Sequence, residues 1–173
     1  MLECALYSYV SSLEEIKRFR KMFKEDVYEY NELVYSKNDT LIIIRTNEKI
    51  TKIIKKKQVD KNKNRKYVIH VVEMSEADSF ENLIQFLDLF NYKFINKTEV
   101  KEHLFTSENF YVSVSKEIND QHLKTNNIDK YWLVKAFSLS DNLQTAEQVF
   151  NSKISNLEGF LEFKKVEVKC FDD

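Results

Sequence analysis

From residue 2 to residue 10 the chain alternates Leu2, Cys4 and Leu6 against Glu3, Ala5 and Tyr7, the period-two pattern of a strand. The period then lengthens. Leu13, Ile16, Phe19 and Phe23 follow at helical spacing, with Ser11 or Ser12 placed to cap the first free amides. Three strand-like runs come next, at 27–36, 40–46 and 50–56, separated by Asn-containing turns. The middle run, Leu41-Ile42-Ile43-Ile44, is apolar on both faces, which predicts core on one side and a helix or partner on the other.

A further strand is predicted at 67–74. Phe80, Leu83, Ile84, Leu87 and Phe90 then form a helical stripe behind Ser79, a plausible N-cap. After Asn91 the period drops back to two, with Tyr92, Phe94 and Asn96 against Lys93, Ile95 and Lys97. Two strand runs, 103–106 and 109–115, flank Ser107-Glu108 at hairpin spacing. Residues 131–140 form another strand apolar on both faces. Leu143, Ala146, Val149, Phe150, Ile154 and Leu157 make a last helix capped by Ser140 or Asp141, with Gly159 at its C-terminal cap and a closing strand at 160–171.

The order is β-α-β-β-β-β-α-β-β-β-β-α-β. No βαβ unit repeats, so a parallel α/β sheet is disfavoured. The expected fold is α+β, a mainly antiparallel β-barrel decorated with about three helices. A barrel removes exposed edges, and helices laid on its wall account for strands apolar on both faces.

Composition refines this picture. The 173 residues fit a single domain, 1–173, large enough for a real core. Polar stretches predict exposed loops near 57–65 and 119–130, the first within the lysine-rich run 55–66. With Gly159 alone and no proline, turns fall to Asn, Asp and Ser, at Asn38-Asp39, Asn47, Asn91, Asn126-Asn127 and Asp141-Asn142. Twenty-seven basic and 28 acidic side chains give a net charge of -1, hence no global attraction to nucleic acid or an acidic membrane. No apolar run approaches the roughly 20 residues of a membrane span, and a chain opening directly into a strand pattern reads as intracellular. Cys4 and Cys170 lie near opposite ends in strand-like surroundings, and buried thiols are expected, with the terminal strands close if the barrel shuts.

Candidate chemistry is sparse. A catalytic triphosphate-tunnel barrel needs carboxylates two apart on a strand, because i and i+2 enter one lumen and together hold a divalent metal. Neither Leu2-Glu3-Cys4-Ala5-Leu6 nor Lys165-Val166-Glu167-Val168-Lys169 supplies such a pair. His70, His103 and His122 are scattered without zinc spacing, and one glycine cannot build a phosphate loop or a nucleophile elbow. No catalytic, metal or cofactor residue is therefore assigned. The lysine run lacks interleaved aromatics before Tyr67 and reads as a solvated loop, so direct nucleic-acid binding is not expected. Tyr7, Tyr9, Tyr28 and Tyr30, each an apolar body with a polar tip at strand spacing, are the partner-binding candidates.

Several stretches look like those of a known family. Tyr67-Val68-Ile69-His70-Val71-Val72-Glu73, Ser79-Phe80-Glu81-Asn82-Leu83 on to Phe90-Asn91-Tyr92, Lys101-Glu102-His103-Leu104-Phe105, and Tyr131-Trp132-Leu133-Val134-Lys135-Ala136 resemble segments of Mediator complex subunit 18, from the head module of that transcription coactivator. The resemblance covers roughly 66–168, with Asn91 standing at the family's turn glycine. It implies a non-catalytic barrel similar to RNA-triphosphatase barrels, a nuclear location, pairing with Mediator subunit 20, and docking of a C-terminal helix of Mediator subunit 8. The expected function is a scaffold supporting RNA polymerase II transcription. The alternative is a divergent metal-dependent triphosphate-tunnel phosphohydrolase.

Overall fold

A computed structural model describes residues 1–58, 64–118 and 131–166. Eight antiparallel strands close into a barrel: β1 (Leu2–Val10), β2 (Lys24–Lys37), β3 (Thr40–Thr46), β4 (Thr51–Gln58), β5 (Val68–Ala77), β6 (Lys93–Ser107), β7 (Phe110–Glu117) and β8 (Trp132–Ser140). Around the ring they run β1-β5-β4-β3-β2-β6-β7-β8, and β1 pairs with both β5 and β8 to shut it. Neighbours in sequence are mostly neighbours in space. The exceptions are the β1–β5, β2–β6 and β1–β8 contacts, which close the ring.

Two helices cover the wall. α1 (Phe80–Leu89), capped by Ser79 through its hydroxyl and the Asn82 amide, packs Phe80, Leu83, Ile84 and Leu87 on Leu33, Tyr35, Ile42, Ile44 and Ile53. α2 (Leu143–Ile154) buries Ala146, Phe150 and Ile154, and the following Leu157, against Cys4, Leu6, Phe110, Val112, Val134 and Ala136. These two apolar interfaces explain why β3 and β8 carry apolar residues on both faces. One face meets a helix and the other meets the lumen.

The N-terminal helix predicted over 13–23 is instead two 3-10 turns, Leu13–Ile16 and Phe19–Lys21, entered by a capping box between Ser12 and Glu15. Leu13, Ile16 and Phe19 recur at a spacing of three, which stacks them on one side of a three-residue turn. Ile16 and Phe19 are fully buried there, with Phe19 edge-on to Phe105. Four further boundaries differ from expectation. β6 is one strand where two runs were expected, because β2 pairs with it from end to end. The β6–β7 turn falls on Glu108 and Asn109, with Glu108 at φ 53°. Asn142, not Ser140 or Asp141, caps α2. The helix stops at Ile154, and Gly159 has no left-handed conformation.

The lysine run is also redrawn. Lys55 and Lys56 lie on β4 as the strand expected at 50–56 has them, and Lys57 and Gln58 extend it into the expected loop. Asn38 (φ 52°) and Asn91 (φ 56°) hold left-handed turn positions, as expected for a chain with one glycine. Of the expected closing strand, Lys164 forms an isolated bridge with Tyr7 beside β1. The other described residues of that stretch, 160–163 and 165–166, are not strand, which corrects the expectation, while 119–130 and 167–173, with Glu167 and Cys170, lie outside the described residues. Cys4 is buried and reduced, its thiol pushed up to about 11 by burial.

Candidate functional site

The pleat sends alternate residues of each strand into the barrel. From β1 these are Glu3, Ala5, Tyr7 and Tyr9, and register carries the same face to His70, Lys56, Arg45, Tyr30, Glu102, Ser113 and Lys135 on the other strands. The lumen therefore carries polar and charged groups beside apolar ones such as Val72 and Ile43, in contrast to the outer wall under the helices.

Its charges form two knots. In the first, Glu3 is 1% exposed and accepts bonds from Lys56 Nζ at 3.1 Å and Lys135 Nζ at 2.7 Å, while His70 Nδ1 lies 3.5 Å away. Burial alone would raise this carboxyl, but the two ammonium groups outweigh it and hold Glu3 well below the usual carboxylate range. Lys135 is pushed down to about 7 by burial, with Lys56 adding repulsion against the attraction of Glu3. Burial is the larger cause, and one carboxylate shared by two lysines offsets it only in part.

In the second knot Glu102, 4% exposed, accepts from Tyr30 Oη at 3.1 Å, from Arg45 at 3.4 Å and from the Ser113 hydroxyl. Arg45 also donates from Nε to Glu32 at 2.8 Å and sits 4.7 Å over the Tyr30 ring. Burial raises the Tyr30 phenol, so it stays protonated and keeps donating. Arg45 is thus held by two carboxylates and a ring face, a use of the planar guanidinium that lysine could not replace.

Above these knots a cavity of about 490 Å³ opens, lined by Tyr7, Arg45, Lys56, Lys116, Glu117 and Lys135 among others. Tyr7 and Tyr30, two of the partner candidates, face this cavity. Tyr9 and Tyr28 do not join them. β1 and β2 run in the same sense, so Tyr9 near the end of β1 and Tyr28 near the start of β2 mark opposite mouths of the barrel. Tyr9 is 64% exposed and rests edge-on against Tyr131, whereas Tyr28 lies by Ile50 and Leu104.

Lys56, Lys135, Arg45 and Glu102 were not singled out by sequence reasoning. The signal was present for two of them: Arg45 follows Leu41-Ile42-Ile43-Ile44, and Lys135 interrupts Trp132-Leu133-Val134 and Ala136-Phe137, so each is a lone charge in an otherwise apolar strand. A charge in that setting needs a buried partner. Among the described residues, no group of three or more His, Cys, Asp or Glu side chains converges as a metal site. His103 lies on the outer wall, with Nδ1 2.8 Å from Glu25 and its ring against Trp132.

No protein-family model matches the chain, and no curated protein matches its sequence. Solved structures do match its fold. A chain in the Schizosaccharomyces pombe Mediator head module is similar with a TM-score of 0.75 at 12% identity, covering 96% of this chain and 99% of that one. A candidate adenylate cyclase from Vibrio parahaemolyticus gives 0.67 at 11% identity, covering 98% and 96%. A candidate adenylyl cyclase from Hippeastrum with a dominant triphosphatase activity gives 0.56 at 8% identity, covering 98% and 92%. At these identities the likeness is one of fold: the chain has the triphosphate-tunnel type of barrel, shared by a transcription-complex chain and by enzymes.

Proposed function

We propose that this chain is a non-catalytic barrel subunit of a nuclear transcription assembly of the Mediator kind. In this reading it pairs with a related barrel, Mediator subunit 20, docks a C-terminal helix of Mediator subunit 8, and supports RNA polymerase II transcription.

The observation that carries the reading is the internal neutralisation of the lumen. A tunnel that works on triphosphates through a divalent metal needs carboxylates whose charge is left for the metal. Here Glu3 is bridged by Lys56 and Lys135, and Glu32 and Glu102 are bridged by Arg45. The next two lumen positions of β1 after Glu3 are Ala5 and Tyr7. Such a network rigidifies a barrel while occupying the groups that chemistry would use. The near-complete mutual coverage with the S. pombe head-module chain supports the same assignment.

The outer surface offers room for partners. Phe86 and Leu89 on α1, and Phe90 at its C-cap rather than on the buried stripe expected for it, are 51%, 79% and 51% exposed at i, i+3 and i+4, the spacing that a helical partner reads. Tyr9 and Tyr28 are the exposed members of the four tyrosine candidates.

A tunnel hydrolase is the second reading. It is favoured by Arg45, Lys56, Lys116 and Lys135 converging on one cavity, a cationic lining that suits a polyanion. Phosphate release from triphosphate-ended RNA with Mg²⁺ or Mn²⁺ separates the two. The scaffold reading expects no release above the protein-free rate. Turnover that disappears in Glu3→Gln and Lys56→Met would establish the hydrolase.

A further inference from the structure

Lys135 points from β8 into the barrel, with Tyr7 on β1 and Ser113 on β7 as its register partners. Its side chain is 16% exposed and lines the cavity of about 490 Å³ together with Tyr7 and Lys56. Glu3 accepts from Lys135 Nζ at 2.7 Å and from Lys56 Nζ at 3.1 Å. Glu32, Arg45, Lys116 and Glu117 line the same cavity, with Arg45 committed to Glu32 and Glu102. The mouth is partly apolar. Leu133 and Tyr131, 50% and 44% exposed, lie outward of Lys135 along the chain.

This knot holds two lysines for one carboxylate, so Glu3 does not need both. A neutral amine still donates an N–H to Glu3 and carries a lone pair besides, whereas an ammonium carries none. Burial, with repulsion from Lys56, brings Lys135 down to about 7, so about half of it is neutral at pH 7. Glu3 stays ionised, and Lys56 keeps it paired if Lys135 is consumed. Tyr7 stands beside the amine with its phenol held protonated by burial and by the charge of Glu3, a donor for an oxygen bound next to Nζ. A lysine desolvated beside a second cation and open to a cavity is nucleophilic near neutrality.

We propose that Lys135 is a covalent capture site for a small aldehyde, which enters the cavity, sets its apolar body against Leu133 and Tyr131, and forms an imine with Nζ. The Nζ lone pair bonds to the carbonyl carbon while the C=O π pair moves onto oxygen. Tyr7 gives that oxygen a proton and regains one from the nitrogen, leaving a carbinolamine. The carbinolamine then loses its hydroxyl with the remaining Nζ proton as water, and the C=N bond forms with no change of oxidation state. Selection rests on the amine and the apolar mouth, not on unpaired charge, and stands whether or not the scaffold assignment holds.

The probe is benzaldehyde with cyanoborohydride, which traps an imine as a secondary amine, applied to the intact chain with adducts mapped over time by peptide mass spectrometry. At pH 7 Lys135 is expected to be labelled roughly tenfold faster than the exposed Lys21 and Lys52, since an ordinary lysine is almost wholly protonated at that pH. The rate at Lys135 should level off above about pH 8, while that of an ordinary lysine keeps rising toward about pH 10. Lys56→Met gives Glu3 to Lys135 alone and is expected to slow labelling of Lys135 several-fold at pH 7 with Lys21 unchanged. Tyr7→Phe, lacking the proton donor, is expected to slow it as well. The proposal is overturned if Lys135 reacts no faster than Lys21 and Lys52, if it is labelled only in urea, or if Lys56→Met and Tyr7→Phe both leave its rate unchanged.

Discussion

The same eight strands present two unlike faces. The outer face under α2 is built from Cys4, Leu6, Phe110, Val112, Val134 and Ala136, and derives its stability from burying carbon against Phe150 and Ile154. The inner face carries Glu3, Arg45, Lys56, Glu102 and Lys135, whose burial is tolerated only because each charge has a partner. One wall is apolar and redundant, the other charged and interdependent. Loss of a side chain therefore means a cavity outside and an uncompensated charge inside.

The largest effect tests the outer face. Phe150 is fully buried between Tyr67 and Phe110, and Phe150→Ala is expected to cost about 3–5 kcal/mol in urea unfolding, the range for truncating a buried ring. The inner face is tested by Glu3→Gln, which strands Lys56 and Lys135 and is expected to cost about 3 kcal/mol. The triple variant Glu3→Leu, Lys56→Met, Lys135→Met is expected to recover most of that loss, since exchanging a buried ionic group for apolar residues of similar size is often neutral. No second substitution of that kind should rescue Phe150→Ala. Recovery in both, or in neither, would erase the distinction.

A pH titration sharpens it further. Lys135 binds its proton less tightly folded than unfolded, so between about 7 and its ordinary lysine range the unfolded chain holds more protons. Stability should therefore rise with pH across that window, and the rise should be missing in Lys135→Met. Glu3 works at the other end. Its folded value is depressed, so its contribution is full above the unfolded carboxyl value and is lost as pH falls through the folded one. Chemical denaturation from pH 3 to 10 in wild type and both variants reads these slopes. The smallest effect lies on neither face. Glu108 holds φ 53° in the β6–β7 turn, and Glu108→Gly is expected to raise stability by up to about 1 kcal/mol by relieving a left-handed side chain.

How much of this was legible in the sequence follows the same division. The outer face was readable because packing against a helix leaves a period: Phe80, Leu83, Ile84 and Leu87 on α1, and Ala146, Phe150 and Ile154 on α2, announced both elements. Doubly apolar strands announced that something covers β3 and β8. The lumen was harder to read, because its pairs join residues far apart in sequence, such as Glu3 with Lys135 and Arg45 with Glu102. Only strand register, which depends on how the ring closes, brings them together. Lys56 stands where the strand expected at 50–56 meets the lysine run, and local composition cannot distinguish a lysine beside water from one beside Glu3. The tyrosines mislead for a related reason. Spacing by two assigns Tyr7 and Tyr9 to one face but does not say that the first faces the cavity and the second reaches its rim. The 3-10 turns before β2 were called a helix because a spacing of three satisfies both patterns over so short a stretch.

The central claim is that a tunnel-type barrel has closed its interior with its own charges and works through its surface. Native affinity isolation of the tagged chain from its own cells, followed by mass spectrometry, tests it most directly. The account predicts recovery in near-stoichiometric amounts with a second barrel subunit and further chains of a Mediator-like assembly, unchanged in preparations of Lys56→Met that remain folded. Recovery of the chain alone, releasing phosphate from triphosphate-ended RNA, would contradict it.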